Sequence, residues 1–332
     1  MTEAEILVRA SMDCAPGGME LLTPNASLHW GRCRFDLNPE PGGRADFSVV
    51  MYNARPYDHF YCAPENTLFI AGEPLSKKLY PKTFYRQFGH VVDSHAESRH
   101  PHLYVNALGL NWHVGLDHAT HAYRYGYDHL STLACPAKEN RIAVVCSNAS
   151  KTEGQRARLA LLDALKQFLG DRLVHFGRGF EPIDDKMDAI LPYRFHLVLE
   201  NSVLPNYWTE KLADAYLGWA FPIYLGCPNV DAYLPRESLV SINGHNADSV
   251  ARRIAHLLDT PLSREQESAL AEARNRVLNV YNPFSWAAHW AETLYLPGLA
   301  ERSLIQRSHK AHRSLGRGLV FRLRQTLRGN YN

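Results

Sequence analysis

Residues 193–242 read YRFHLVLENSVLPNYWTEKLADAYLGWAFPIYLGCPNVDAYLPRESLVSI. The apolar run at 195–199 is short and unbroken, as a strand covered on both faces of a parallel sheet requires, and Glu200, Asn201 and Ser202 follow at its carboxyl end. In an open α/β sheet ligands bind at that end. Pro205 and Asn206 turn the chain and Thr209 is placed to cap a helix. Leu212, Ala215, Tyr216 and Trp219 then recur on one side of it. Gly218 weakens the last turn, and Pro222 marks the next strand.

Lys211 falls in the first turn of that helix, where the macrodipole and the unpaired N–H groups disfavour a cation by about a few tenths of a kcal/mol. An anion arriving there removes the conflict. A diphosphate would satisfy both the helix N-terminus and the ammonium, and the neighbouring Glu210 has the chemistry to accept hydrogen bonds from ribose hydroxyls. A solvated Glu–Lys pair at a helix end fits the same two residues.

The stretch as a whole adds a further constraint. The ENS of 200–202, then Tyr207, Thr209, Glu210, Lys211 and Leu212, then GWAFPIYLG and a Pro-x-x-Ser before a short strand, resemble the donor-site signature of the α-1,3-fucosyltransferases, glycosyltransferase family 10, in its bacterial form. The chain departs from that signature at Leu199, where the family usually has Phe. The resemblance implies an α/β protein of the GT-B fold, two Rossmann-like domains facing each other across a cleft, with GDP-fucose as donor. It implies no required cofactor and no metal, because basic side chains take over the electrostatic role. Tyr207 and Asn201 would contact phosphate and Glu210 the ribose, while Glu200 would orient the site or contact the sugar.

The 332 residues suit two domains of ordinary size. With 45% apolar and 21% charged residues and no low-complexity run, a packed protein is expected. A formal net charge of +2 gives no global nucleic-acid signal. The six cysteines, at 14, 33, 62, 135, 146 and 227, lack CxxC spacing and read as reduced. The N-terminus starts acidic, and no run approaches the ~20 apolar residues of a membrane span. A cytoplasmic protein is therefore expected, with a place at the inner face of the cytoplasmic membrane left open.

Earlier in the chain, the strand expected at 68–71 runs directly into Gly72, Glu73 and Pro74. A carboxylate at a strand's carboxyl end can take the proton of an attacking hydroxyl. A similar Gly-Glu segment in the bacterial relatives carries the proposed base, so the resemblance assigns that role to Glu73; a turn carboxylate ahead of a Pro-initiated helix is the structural alternative. Residues 84–94 read as another strand. The histidines at 95, 100, 102, 118, 121 and 129 lack a metal-ligand spacing. Tyr104, Trp112, Tyr123, Tyr125 and Tyr127 suit either a sugar-stacking platform or a core.

Residues 135–140, with Pro and adjacent charges, read as an interdomain linker. This gives an acceptor-binding domain at 1–138, a nucleotide-sugar domain at 139–300 and a basic tail at 301–332. The second domain opens with a strand within 141–150 and a helix with Leu159, Leu162, Leu165 and Leu169 on one face. Here SN, a gap, Arg and LLDAL match the family's phosphate-binding arginine element. Arg158 falls at the matching distance, with Arg156 as the neighbour to be told apart from it. A guanidinium presents a planar fork to phosphate oxygens and stays charged. The LVHFGRGF of 173–180 is a strand and Gly-rich turn but not GxGxxG, and no Walker A sequence occurs. In the family comparison Lys186, Tyr193 and Arg194 take the places that follow it.

From 302 onward there are basic residues and no Asp or Glu. Leu315, Leu319, Leu323 and Leu327 suggest a basic amphipathic helix that would contact anionic membrane. The resulting reading is an inverting transfer of L-fucose from GDP-fucose to an oligosaccharide or glycolipid acceptor, such as a bacterial surface glycan or lipopolysaccharide, with a homodimer left open. The alternatives are another nucleotide-sugar donor on the same fold, or a glycan-binding relative without turnover.

Overall fold

The computed structural model describes residues 4–151, 153–242 and 246–312. Buried apolar runs in the first hundred residues become parallel strands. Ile6–Ser11 (β1), His29–Trp30 (β2), Cys33–Leu37 (β3) and Phe47–Tyr52 (β4) precede Tyr57–Cys62 (β5), Thr67–Ala71 (β6), His90–Asp93 (β7) and Leu103–Val105 (β8). The sheet has the order β2-β3-β1-β4-β6-β7-β8, and only β2 is antiparallel to its neighbour. Every residue of β4 and of β6 is buried, as strands covered on both faces must be. Gly72 is required where β6 ends: a Cβ there would lie 2.5 Å from Cβ of Tyr52 on β4.

One expectation fails in this unit. Residues 84–94 are not one strand. Lys82–Tyr85 form a short helix (α1), and the strand begins only at His90. Phe84 and Phe88 pack on Phe69 of β6, with ring centroids 5.0 and 5.3 Å away, so their apolarity serves a helical turn lying on the sheet.

The second unit contains Leu116–Asp117 (β9) and Ala122–Tyr123 (β10), paired antiparallel, and the helix Tyr127–Thr132 (α2). Its sheet is built from Glu139–Val145 (β11), Leu173–Phe176 (β12), Tyr193–Leu199 (β13), Phe221–Leu225 (β14) and Val240–Ser241 (β15). All pairs are parallel, in the order β12-β11-β13-β14-β15. The helices are Glu153–Leu169 (α3), Lys186–Ile190 (α4), Glu210–Leu217 (α5), Ala247–Asp259 (α6) and Arg264–Asn279 (α7), while Pro283–Leu294 (α8) starts in this unit and runs on into the first. Leu161, Leu162, Leu165 and Leu169 of α3 and Val250, Ile254 and Leu258 of α6 are buried in one core cluster with Ile142, Phe195, Leu197 and Ile223 of the strands.

The chain divides otherwise than at 138. The first unit comprises the residues up to Ala15, Leu28–Leu108 and those from Ala287; the second is Pro16–Ser27 with Gly109–Trp286. The stretch read as a linker lies inside the second unit, where Lys138 Nζ donates to the carbonyls of Leu191 and Gly218 at 2.7 and 2.6 Å. Two buried carboxylates also tie residues 113–115 to that unit. Asp214 accepts the N–H groups of His113 and Val114 at 2.7 and 3.0 Å, and Asp185 accepts that of Gly115 at 3.0 Å.

The expected tail is not separate. Arg302–Arg307 (β16) pairs antiparallel with β5 in the first unit, with Gln306 buried and Ile305 and Arg307 exposed, which is a period of two and not of a helix. Leu315, Leu319, Leu323 and Leu327 lie outside the described residues.

Candidate functional site

In the second unit, successive connections run in opposite directions from β11, to β12 on one side and to β13 on the other. The crevice at the carboxyl ends of β11 and β13 is the topological switch point, where α/β sheets bind ligands. Cys146, Ser147 and Asn148 follow β11 there, and Glu200 and Asn201 follow β13. α3 brings Arg158 to the same edge, where Nη1 donates to Asn201 Oδ1. Arg158 Nε is buried without a hydrogen-bond partner among the described residues. Arg156 is turned away, donating to the carbonyls of Ser150 and Lys151 at 3.1 and 3.2 Å.

The loop from Asn201 to Trp208 presents α5 to this edge. Asn206 takes φ +60°, a left-handed conformation that Asn tolerates. A reciprocal amide pair holds it: Asn206 N–H donates to Asn229 Oδ1 and Asn229 Nδ2 to Asn206 Oδ1, both at 2.8 Å. Tyr207 is buried within this loop. Thr209 caps α5, its Oγ1 accepting from Lys211 N–H at 3.3 Å.

Glu200 sits beneath the cap. It is 4% exposed, one oxygen accepts the Thr209 N–H at 2.8 Å, and the Thr209 hydroxyl lies 3.0 and 2.8 Å from the two oxygens. Both carboxylate oxygens are turned to the helix start, so Glu200 is a brace for the site and not a surface group free to meet a sugar. Burial raises its pKa, opposed by the Lys211 ammonium. We expect Thr209→Val to lower stability by about 1–3 kcal/mol, since it removes a cap and strips a buried carboxylate of a hydroxyl donor. Thr209→Ser should retain most of it. Thermal melting checks both, and equal melting of Thr209→Val and wild type would contradict the assignment.

Lys211 Nζ stands 2.7 Å from Glu210 Oε1, 3.3 Å from Thr209 Oγ1 and 3.7 Å from Glu200 Oε2. Burial lowers its pKa, but Glu210 and Glu200 outweigh burial and the net shift is upward. Glu210 is held well below the usual carboxylate range, because Lys211, His113 and Lys186 together overcome its burial. Cys146, raised by burial, feels both Arg158 and Lys211, so the two cations share one neighbourhood at the end of β11. Arg158, Asn201, Glu200, Tyr207, Glu210 and Lys211, read from separate parts of the sequence, therefore converge in one unit. Asp214, missed in the sequence, is 1% exposed on α5 and accepts from Lys186 Nζ at 2.7 Å. A charged residue inside the apolar run LADAYL was the signal for it.

Glu73 belongs to the first unit, two residues beyond β6, at the same sheet edge as Asn53 after β4. Its carboxylate accepts from Lys77 Nζ at 2.7 Å, and Lys78 Nζ donates to Asn53 Oδ1 at 2.6 Å. Pro74 opens a turn closed by Lys77 and Lys78 N–H on its carbonyl, not a helix. Of the aromatic residues weighed as a platform, Trp112 and Tyr123 are core. The Tyr125 and Tyr127 hydroxyls donate to Asp185 and Asn279 at 2.7 and 2.8 Å. Among the described residues no three His, Cys, Asp or Glu side chains converge as metal ligands.

Residues 135–266, which contain all six of the second-unit site residues, match the model of the glycosyltransferase family 10 (fucosyltransferase) C-terminal domain. Over these residues the chain is similar to glycosyltransferase family 10. The family 10 region is 30% identical over 134 residues to the human 4-galactosyl-N-acetylglucosaminide 3-alpha-L-fucosyltransferase 9, covering 38% of this chain and 36% of that protein. It is also 30% identical over 117 residues to the human 4-galactosyl-N-acetylglucosaminide 3-alpha-L-fucosyltransferase FUT6, covering 34% and 32%. The matched region thus spans about a third of the curated relatives' length. A crystal structure of an alpha1,3-fucosyltransferase with GDP superposes over 90% of this chain and 95% of that one, with TM-score 0.50 and 16% identity. The likeness shows the GT-B fold, with two Rossmann-like α/β units.

Proposed function

We propose that the protein is an inverting glycosyltransferase that moves L-fucose from GDP-fucose to a hydroxyl of a glycan acceptor. The observation that carries this reading is the convergence of Arg158, Lys211 and Glu210 at the β11/β13 switch point of a family 10 domain. Arg158 and Lys211 take the diphosphate, Asn201 and Tyr207 add hydrogen bonds to it, and Glu210 accepts from the ribose hydroxyls. In the displacement, the acceptor oxygen forms a bond to the anomeric carbon as the bond from that carbon to the β-phosphate oxygen breaks. Glu73 takes the acceptor proton, and the negative charge growing on the departing GDP is met by the two cations. They supply the electrostatic stabilisation that a divalent cation provides elsewhere, so no metal enters this scheme.

None of these contacts reads the sugar itself, so the test must carry several donors. The protein is incubated with GDP-fucose, GDP-mannose and UDP-sugars, with and without galactoside acceptors, and nucleotide release is followed. Acceptor-dependent release of GDP from GDP-fucose alone is expected. Release from another donor replaces the sugar assignment, and binding without release replaces the enzyme by a glycan- or nucleotide-binding relative.

A further inference from the structure

Beside the donor helix the second unit holds a histidine that the scheme above leaves unused. His113 is half-buried, and its backbone N–H is one of those accepted by Asp214. Its ring Nδ1 lies 3.4 Å from Lys186 Nζ, which also donates to Asp214 Oδ2 at 2.7 Å. An ammonium only donates, so Nδ1 must be the accepting nitrogen, and in a neutral ring the hydrogen then sits on Nε2. Among the described residues no hydrogen-bond partner faces Nε2.

Asp214 stands one helical turn beyond Glu210 on α5, and positions four apart are neighbours on a helix surface. Asp214 holds the His113 backbone and Lys186 faces its ring, and the Glu210 carboxylate feels both His113 and Lys186. Burial and Lys186 push the His113 ring down to about 4, against the pull of Glu210 and Asp214, with His118 acting in the same sense as Lys186.

We propose that His113 is a further donor-binding residue, a neutral imidazole offering Nε2–H to an oxygen of a nucleoside-diphosphate sugar held at Glu210 and Lys211, with Lys186 and Asp214 as its positioning residues. The inference rests on the donor site proposed above. A fixed neutral donor suits a phosphate or sugar oxygen, because it contributes a hydrogen bond without exchanging a proton as the pH changes. It also separates this residue from a general base, whose contribution would titrate.

The test is calorimetric titration of wild type, His113→Ala, His113→Gln and Lys186→Met with GDP-fucose between pH 5.5 and 8.5, each variant also being melted thermally. His113→Ala should bind about tenfold more weakly, and His113→Gln, whose amide can donate, should recover most of the loss. Lys186→Met releases Nδ1 from the ammonium that fixes the tautomer, while burial still favours the neutral ring. It should therefore weaken binding by a smaller factor than His113→Ala does, with affinity as flat over this pH range as in wild type. A merely structural role predicts lower melting temperatures in all three variants with no recovery of affinity in His113→Gln. If wild type binds GDP-fucose and His113→Ala binds it equally well, this inference falls and the donor site stands. If wild type does not bind, both fall. Should His113→Ala fail to fold, His113→Gln and His113→Phe decide: only the amide can donate, so equal affinity of these two variants for GDP-fucose overturns the proposal.

Discussion

Lys211→Met is expected to lower fucose transfer from GDP-fucose by about 10²–10³-fold, with the loss shared between donor KM and kcat. The size of the effect follows from what surrounds the ammonium. Glu210 at 2.7 Å and Glu200 at 3.7 Å are both carboxylates, so removing Lys211 subtracts a cation and also turns two anions toward an incoming diphosphate. Lys211→Arg keeps the charge but brings a planar fork to a point-charge site, so it should fall between the two. The pKa of Lys211 is raised in the folded protein. Its charge is therefore complete at all pH values below the ordinary lysine value of ~10.4 and is lost only as pH rises through the higher folded value. The deficit of Lys211→Met should thus be the same at pH 6 and pH 8. Steady-state kinetics over both substrates measures it, and a loss within threefold would remove Lys211 from the site.

Glu73→Gln is the second large effect. A general base contributes about 10²–10⁴-fold, so kcat should drop by that order while GDP-fucose affinity, measured without acceptor, stays within about twofold. Gln preserves the shape of the side chain and removes only the capacity to take a proton. The existing Lys77–Glu73 contact does not stand in the way. Lys77 is 68% exposed, and an exposed ion pair of this spacing is worth only about 0.3–0.5 kcal/mol, little enough for an acceptor hydroxyl to displace. Glu73→Asp should be nearly as slow, because the carboxylate then sits one methylene short of the acceptor oxygen. Wild-type kcat in Glu73→Gln would mean that another group takes the proton.

The second unit was legible because its chemistry is written locally. A seven-residue strand, a polar corner, a capped helix and another strand follow one another between Tyr193 and Leu225, and the proposed donor-binding groups sit at the junctions. What could not be read was contact at long range. Gly109 to Tyr125 has only two-residue strands and no periodicity, and it is assigned to its unit by Asp185 and Asp214, some seventy to a hundred positions away. The boundary was therefore placed at the next Pro-rich, charged stretch. Pro16–Ser27 joins the same unit through Gly17, whose backbone pairs with His121 and Tyr123, a contact that no nearby residue announces.

Burial likewise changed roles that composition alone left open. Glu200 was open between orienting the site and contacting the sugar, and its oxygens face Thr209. The aromatic density from Phe84 to Phe88 reads as strand in one dimension, yet those rings fill the space above Phe69 from a helical turn. In the segment 302–307, alternation of buried and exposed residues runs over too few positions to stand out against the leucine spacing that begins at 315.

In the proposed function the edge shared by β11 and β13 binds a nucleoside diphosphate through Arg158 and Lys211. Equilibrium titration of GDP against wild type and the folded Arg158→Ala/Lys211→Ala double variant tests it most directly. Saturable binding by wild type and at least a hundredfold weaker binding by the double variant is the predicted result; equal affinity of the two proteins for GDP would contradict it.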